Sequence, residues 1–302
     1  MMKKMIASLM LIGTVTLYLG TAKEVNAAQT ITNIDTNLNQ IGEYYYQNNL
    51  AGTTMDRMYQ LDKKPQSISS RANLDFDPNS NNLKLKQSVP NLIYVGDNEF
   101  DNTTDTDQSY VTTNYSKAVT QTVSTTTTKG FNINGQGLEF TLPLFIGNNK
   151  ITAAFNSGTT KTTTETTTET ITSGAQPVKV PAHKKYRVIT SLEEVSFNGT
   201  FDYKANGTNL YNDITAKGLW IDRYGTPYRK TYNFHESVGS EWNSLNSSQK
   251  ASIKEIEINP SNNSMTVNGS AEVTGTLGTK MIVKTYDITD GGNNLIRTQV
   301  IE

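Results

Sequence analysis

The side chains able to do acid–base, nucleophilic or metal chemistry are few and poorly placed in this sequence. Its two histidines, His183 and His235, lie in different segments with no HExxH, no second His four residues on and no cysteine, so neither suits a zinc site. No GxSxG elbow, P-loop or dinucleotide fingerprint occurs, and the GQG at 135–137 is too short to be one. Glu165 and Glu169 share one face of an extended strand, about 13 Å apart at ordinary rise. That separation exceeds what a glycosidase carboxylate pair requires. With Lys161 they make a solvated face instead. The residues therefore point away from an enzyme, with no catalytic, metal-binding or cofactor-binding set expected.

A different kind of chemistry is written in residues 129–158, KGFNINGQGLEFTLPLFIGNNKITAAFNSG. Leu138, Phe140, Leu142, Leu144 and Ile146 alternate with Glu139, Thr141, Pro143 and Phe145, the period of two that a strand imposes on its faces. In a second arm Ile151, Ala153 and Phe155 alternate with Lys150, Thr152, Ala154 and Asn156. The apolar set is even-numbered in one arm and odd-numbered in the other. A loop with an even number of residues, Gly147-Asn148 or Gly147 to Lys150, puts both sets on one side of an antiparallel hairpin. A first arm of roughly a dozen residues reaches about 40 Å, or about 30 Å when tilted as in a barrel. That matches a bilayer core of about 30 Å. An ordinary half-buried core hairpin would alternate in the same way, so the flanks must decide.

Those flanks are threonine-rich. Residues 112–128 read TTNYSKAVTQTVSTTTT, and ten of the fourteen positions in 159–172 are Thr. Threonine favours strands, yet its hydroxyl keeps both faces polar. Such strands are loosely specified in register and able to re-pair with other copies. An apolar hairpin hung between two of them is what a barrel assembled from several chains requires.

Residues 1–27 read as a signal peptide, with Lys3 and Lys4 before the apolar run Ile6 to Leu19 and a small-residue cleavage site at Val25-Asn26-Ala27. Their removal takes away Lys3, Lys4, Lys23 and Glu24 and leaves a net charge of about −3, which argues against a nucleic-acid partner. Beyond the signal peptide no run of 18 apolar residues exists to form a helical anchor. With no cysteine, a secreted chain must rely on core burial and strand pairing.

Along the chain, Ile34, Leu38, Ile41 and Tyr45 recur at helical spacing behind an Asn33 cap, predicting a helix to about Asn48. A second short helix is expected from Thr54, carrying Met55, Met58 and Tyr59. The run Tyr44-Tyr45-Tyr46 cannot bury three consecutive rings on one helix side, so at least one should be exposed, with Tyr45 the expected inward ring. Short strands follow at 83–86 and 92–95. Val195, Phe197, Phe201 and Tyr203 share a strand face. Residues 206–250 scatter aromatics among turns, including Trp220, Tyr224 and Tyr228, and suit either a small satellite core or a ligand-contacting surface. Ser247 to Lys250 suggests one helical turn. The ending reads as a half-exposed meander of short strands, with Asn268-Gly269 and Gly278 as turns.

The hairpin and its flanks, SYVTTNYSKAVTQTVSTTTTKGFNI through LEFTLPLFIGNNKITAAFNSGTTKTTTETTTETI, with VPAHKKYRV, NGSAEVTGTLGTKMIVKTYDI and NIDTNLNQIGEYYY, resemble the aerolysin-like β-pore-forming toxins of the epsilon-toxin and mosquitocidal-toxin family. The resemblance implies a mainly β, elongated multi-part body with a small N-terminal helical head and a central insertion hairpin. The implied divisions are a head over 28–100 with 204–255 packed on it, central strands over 101–203, and a C-terminal meander over 256–302. It further implies a protein that is secreted as a soluble monomer, binds an unknown receptor on a target-cell membrane, homo-oligomerises and inserts one hairpin per subunit. Leu138, Phe140, Leu142, Leu144, Ile146, Ile151, Ala153 and Phe155 would face lipid, and Glu139, Thr141, Lys150 and Thr152 the lumen. Tyr44, Tyr45, Tyr46, Trp220, Tyr224 and Tyr228 would meet the receptor. The rival expectation is a non-lytic lectin or adhesin whose aromatic head binds glycans while the hairpin stays in the core.

Overall fold

The structure is a computed structural model describing residues 29–54, 58–80 and 82–301. The expected signal peptide and Met55 lie outside the described residues. A short strand, β1 (Thr30–Asn33), leads into helix α1 (Ile34–Tyr45). The helix starts as its sequence implies: the Asn33 side chain accepts the Asp35 N–H at 2.9 Å, and Ile34, Leu38 and Ile41 form a buried stripe. Its last turn widens over Tyr46–Leu50, and the chain then enters strand β2 (Met58–Leu61). The short helix expected there is therefore corrected to a strand for Met58 and Tyr59. So short a segment makes a marginal helix, whereas pairing with a later strand satisfies its backbone groups.

Strands β3 (Ser67–Phe76), β4 (Asn82–Gln87), β5 (Asn91–Asn102), β6 (Gln108–Val111) and β7 (Ser116–Ile133) follow. The two-residue β8 (Gln136–Gly137) precedes the hairpin β9 (Glu139–Ile146) and β10 (Asn149–Asn156), then β11 (Thr163–Thr172) and β12 (Pro177–Val180). Next come β13 (Lys184–Ile221), β14 (Pro227–Ser237), helices α2 (Val238–Ser244) and α3 (Ser247–Ser252), and strands β15 (Ile256–Asn259), β16 (Ser264–Asp287) and β17 (Asn294–Ile301).

Everything is laid along β13. Its 38 residues span on the order of 120 Å at strand rise, which makes the molecule elongated. On one edge it pairs in turn with β5, β4, β3 and β2, and on the other with β16 and then β14. Val195, Phe197, Phe201 and Tyr203 do share one buried face, joined by Val267, Ala271, Val273 and Leu277 of β16 and by Val123 and Phe131 of β7. β16 is likewise one strand of 24 residues, so the turns expected at Gly269 and Gly278 are corrected. Both glycines mark close packing. A Cβ on Gly269 would meet the Tyr203 ring at 2.3 Å, and one on Gly278 would meet Val119 at 2.8 Å, where Glu193 and Glu194 face a bulge. Among the aromatics of 206–250, Tyr211, Trp220, Tyr228, Tyr232 and Phe234 sit on the β13–β14 ladder, Tyr224 lies in the turn that joins those strands and Trp242 on α2, and the expected helical turn at Ser247 is the start of α3, capped by Asn246 and Gln249.

At the α1 end a buried polar network crosses from helix to sheet. Asn212 donates from Nδ2 to the Leu38 carbonyl at 3.0 Å and to Glu241 Oε2 at 2.6 Å, and Ser70 Oγ bridges Asn39 and Asn212. Glu241 is fully buried and its Oε1 has no partner. Burial, with a smaller repulsion from Glu236, raises its pKa from 4.5 to about 8, against the lowering effect of the Asn212 bond. The folded state thus holds a proton that the unfolded chain releases near 4.5, so this stabilisation is complete below that value and is lost as pH rises towards 8. Glu241→Gln keeps an acceptor for Asn212 and removes the titration. It is expected to melt above the parent at pH 8 and to flatten the decline between pH 5 and 8. Parallel melting curves for parent and variant across that range would contradict the assignment.

Candidate membrane-insertion hairpin

β9 and β10 form a two-stranded sheet of their own, joined by the tight turn Gly147-Asn148 between paired Ile146 and Asn149. Gly147 leads the turn at φ +59°, a conformation that favours glycine. The register places Leu144 opposite Ile151, Leu142 opposite Ala153 and Phe140 opposite Phe155 on one face. Glu139, Thr141, Pro143, Phe145, Lys150 and Thr152 occupy the other and are exposed. Pro143 is tolerated because each strand of a two-stranded sheet has a free edge.

The arms are shorter than a continuous run from Lys129 would give. A second turn interrupts the first arm: Asn134 and Gly135 have φ of +51° and +74°, with Ile133 paired to Gln136 and Asn132 to Gly137. Asn-Gly between apolar residues is a strong hairpin signal, present in the sequence and passed over in reading the arm as unbroken. Because of that reversal β9 runs back down the sheet. Phe140, near the base, lies 5.0 Å from the Tyr203 ring, while the Ile146–Asn149 tip borders a cleft with Val195 and Gly278. The tip therefore points away from the end where α1 packs.

The apolar face is covered by the large sheet. Leu144, Ile146, Ala153 and Phe155 are buried, and Leu138, Phe140, Leu142 and Ile151 are half-buried against the same core. Phe140 stacks on Phe76 at 4.3 Å and on Phe155 at 5.4 Å, beside Phe201 and Tyr203. Besides the main-chain bond from the Phe131 N–H to the Ser157 carbonyl at 2.9 Å, short side chains supply further polar attachments. Thr125 and Thr127 of β7 donate their hydroxyls to the carbonyls of Ala154 at 2.6 Å and Asn156 at 2.8 Å. Ser157, fully buried at the base, donates to the Phe131 carbonyl and accepts the Leu138 N–H. Gly137 and Gly158 touch there, leaving no room for a Cβ on either. The tip end is less filled, with a cleft of about 570 Å³ bounded by Ile146 to Asn149, Glu169 to Thr172, Glu193 and Gly278 to Lys280.

The two threonine tracts pair with one another, Thr125 with Thr163 through Ser116 with Thr172. β11 is exposed on both faces apart from Ile171 and, among the described residues, pairs with β7 alone. Glu165 and Glu169 lie on it, and Glu169 accepts from Gln121 at 2.6 Å. The histidines are far apart in the fold. His183 meets Asp105 at 2.9 Å, and His235 meets Asp213 at 2.7 Å. Among the described residues no three His, Asp or Glu side chains converge to hold a metal, and no helix is long and apolar enough to cross a membrane.

At the other end of β13 the tyrosine run meets the aromatic segment, but the inward ring is not the one expected. Tyr46 is fully buried and donates its hydroxyl to the Asp62 carbonyl at 2.6 Å. Tyr45 is only half-buried, and Tyr44 reaches Ser252 Oγ at 3.0 Å. Helical spacing alone did not reveal that the widened turn rotates position 46 onto β13. Tyr46, Leu61, Ile214 and Ala216 form a satellite core with Trp220, Tyr232 and Phe234 packed on it. Tyr224 and Tyr228 stand 76% and 48% exposed. The segment is thus a satellite core below and an open aromatic surface at its tip.

Solved structures similar to this one include a pore-forming protein and crystal proteins. Three solved structures superpose on nearly the whole chain: the Mpp75Aa1.1 β-pore-forming protein from Brevibacillus laterosporus (TM-score 0.54, 21% identity, 89% of this chain and 95% of that one); a non-toxic crystal protein from Bacillus thuringiensis (0.56, 13%, 90% and 99%); and the Cry23Aa1–Cry37Aa1 complex (0.53, 17%, 90% and 96%). At these identities the likeness is one of fold. No curated protein sequence matches the chain. The family model described as Clostridium epsilon toxin ETX/Bacillus mosquitocidal toxin MTX2 matches residues 36–297. The chain belongs to that family, the one of Clostridium epsilon toxin ETX and Bacillus mosquitocidal toxin MTX2.

Proposed function

We propose that the protein is secreted as a soluble monomer, binds a target-cell surface through the α1 end, homo-oligomerises, and inserts residues 129–158 as one hairpin per subunit into a transmembrane β-barrel. The observation that carries this reading is the separateness of the β9–β10 ladder, which is bonded within itself and covered by the main sheet only on its apolar face. Lifting β9 and β10 away breaks no ladder of the 13-stranded sheet, and the full insertion opens only the β7–β8 turn and the last residues of β7, from Lys129 on, beside β1 and Ser270. Each large apolar side chain so uncovered costs roughly 1.5–3 kcal/mol in water, and lipid restores that term. Straightening the Asn134-Gly135 turn would let β9 continue the direction of β7, sending the tip towards the α1 end. In the barrel Leu138, Phe140, Leu142, Leu144, Ile146, Ile151, Ala153 and Phe155 face lipid, and Glu139, Thr141, Lys150 and Thr152 face water. Tyr44, Tyr45, Trp220, Tyr224 and Tyr228 are the proposed receptor-contacting aromatics. Tyr46 is withdrawn from that set because it is buried.

A protein of the same fold is described as non-toxic, so leakage must be measured. Arginine at the lipid face near mid-depth costs roughly 2–4 kcal/mol per subunit, multiplied around a ring. Phe140→Arg and Leu142→Arg are expected to bind cells without leaking dye from vesicles, and Thr141→Arg to leak with altered ion preference. Soluble-state melting is measured beside leakage, to separate a failed fold from failed insertion. A silent Thr141→Arg, or a leaking Leu142→Arg, would remove this hairpin from the membrane.

Lumen charge gives an independent check. Each subunit brings one Glu139, whose carboxylate accepts from Asn156 Nδ2 at 2.9 Å, and one exposed Lys150, so the charges nearly cancel and selectivity should be weak. Glu139→Gln is expected to move the reversal potential towards anions in planar bilayers. Strong selectivity unchanged by that substitution would show that this face does not line the pore.

A further inference from the structure

The tip of the β13–β14 hairpin combines exposed aromatic rings with unbalanced positive charge, in a protein whose 27 basic and 28 acidic residues nearly cancel as a whole. Trp220 and Tyr228 are cross-strand partners with ring centres 6.3 Å apart, and Lys230 places its ammonium 4.1 Å from the Trp220 ring centre and 5.0 Å from that of Tyr232. At the apex Asp222 accepts the N–H groups of Tyr224 and Thr226 at 2.8 Å each, and Gly225 takes φ +85°. This rigid turn holds Tyr224 outward with the Arg223 guanidinium 4.6 Å over its ring. Arg223, Tyr224, Tyr228, Arg229 and Lys230 are all exposed. The nearby acids are both engaged: Asp62 pairs with Arg229, and Asp222 is the acceptor of the turn. Lys63 and Lys64 follow Asp62, whose N–H bonds the Lys217 carbonyl, and bring two more exposed ammonium groups to the same end.

We infer that this tip is a binding surface for an anionic lipid bilayer, with Trp220, Tyr224 and Tyr228 seated at headgroup level and Arg223 and Lys230 against acidic headgroups. Aromatic rings with one apolar and one polar end favour the membrane interface, and basic side chains near an anionic surface contribute about 1 kcal/mol each. The shape agrees, since a convex apex suits a planar surface. Direction agrees too: straightening the Asn134-Gly135 turn carries the hairpin towards this end of β13. The inference deepens the pore-forming reading by naming the chemistry that the α1 end meets.

The test is co-sedimentation with vesicles of phosphatidylcholine alone or mixed with phosphatidylserine, with leakage read separately. The protein is expected to pellet with the mixed vesicles and to be released by high salt. Arg223→Gln and Lys230→Gln should each lower the partition coefficient about fivefold, the equivalent of about 1 kcal/mol per charge. Lys86→Gln, exposed on β4 far from the tip, should leave it unchanged. With Trp242→Phe, Trp220 remains the sole tryptophan of the two in the sequence, and its emission should shift to the blue and be quenched by bromolipid. Equal binding to neutral vesicles, losses no larger than that of Lys86→Gln, or binding only to receptor-bearing cells would overturn the inference, the last giving the tip to a protein or glycan. Anionic-vesicle binding without leakage would uphold the tip while contradicting the pore.

Discussion

The structure depends on one requirement: the apolar face of the β9–β10 hairpin must be covered at all times. Leu144, Ile146, Ala153 and Phe155 are buried in the same core as Val195, Phe197, Phe201 and Tyr203, and leaving such side chains in water is costly. In the structure the cover is the face of β13, β16 and β7. A bilayer offers cover of the same kind without changing which side of the hairpin is apolar. The proposed insertion would thus be an exchange of apolar surroundings rather than a loss of them, and the register Phe140–Phe155 and Leu144–Ile151 need not change.

The attachments of the hairpin suit that exchange. The hydroxyls of Thr125 and Thr127 fix its depth through single hydrogen bonds to main-chain carbonyls, each contributing about 1 kcal/mol net. The Gly137–Gly158 contact and the Asn134-Gly135 turn concentrate the backbone freedom at the base. One mismatch remains to be absorbed. In β7–β11 paired residues have the same parity, Val123 with Glu165 and Thr125 with Thr163, whereas in β9–β10 they have opposite parity. Joining the two ladders into one hairpin demands an odd slip or a bulge, which exchanges the faces of one strand. A tract of threonine accepts either face equally, a physical reason for its composition.

Features set by neighbours in sequence were the legible ones. The alternation from Leu138 to Phe155, an even-numbered loop led by Gly147, the Asn33 cap and the helical turn at Ser247 all follow from side chains a few positions apart, and the structure chooses the two-residue form of the loop. What depended on distant partners was not legible. Gly269 and Gly278 read as turns because the Tyr203 ring and Val119 that crowd them lie in other strands. The continuity of β13 was hidden by its own glycines, Gly199 and Gly207, which make room for β4 and Met265. Tyr46 was misassigned because its burial is decided by Ile214 and Leu61. The Asn134-Gly135 turn is different, a local signal outweighed by the longer alternation around it.

In the proposed insertion one face of one hairpin moves from protein cover to lipid cover. Because the chain has no native cysteine, single cysteines at successive positions from 139 to 146 can each carry an environment-sensitive dye. The decisive measurement is the quenching of those dyes by nitroxide lipids after the protein has assembled on vesicles. Quenching is expected to alternate with a period of two, strong at 140, 142, 144 and 146 and weak at 139, 141, 143 and 145. Uniform quenching, or none at the even positions, would contradict the insertion.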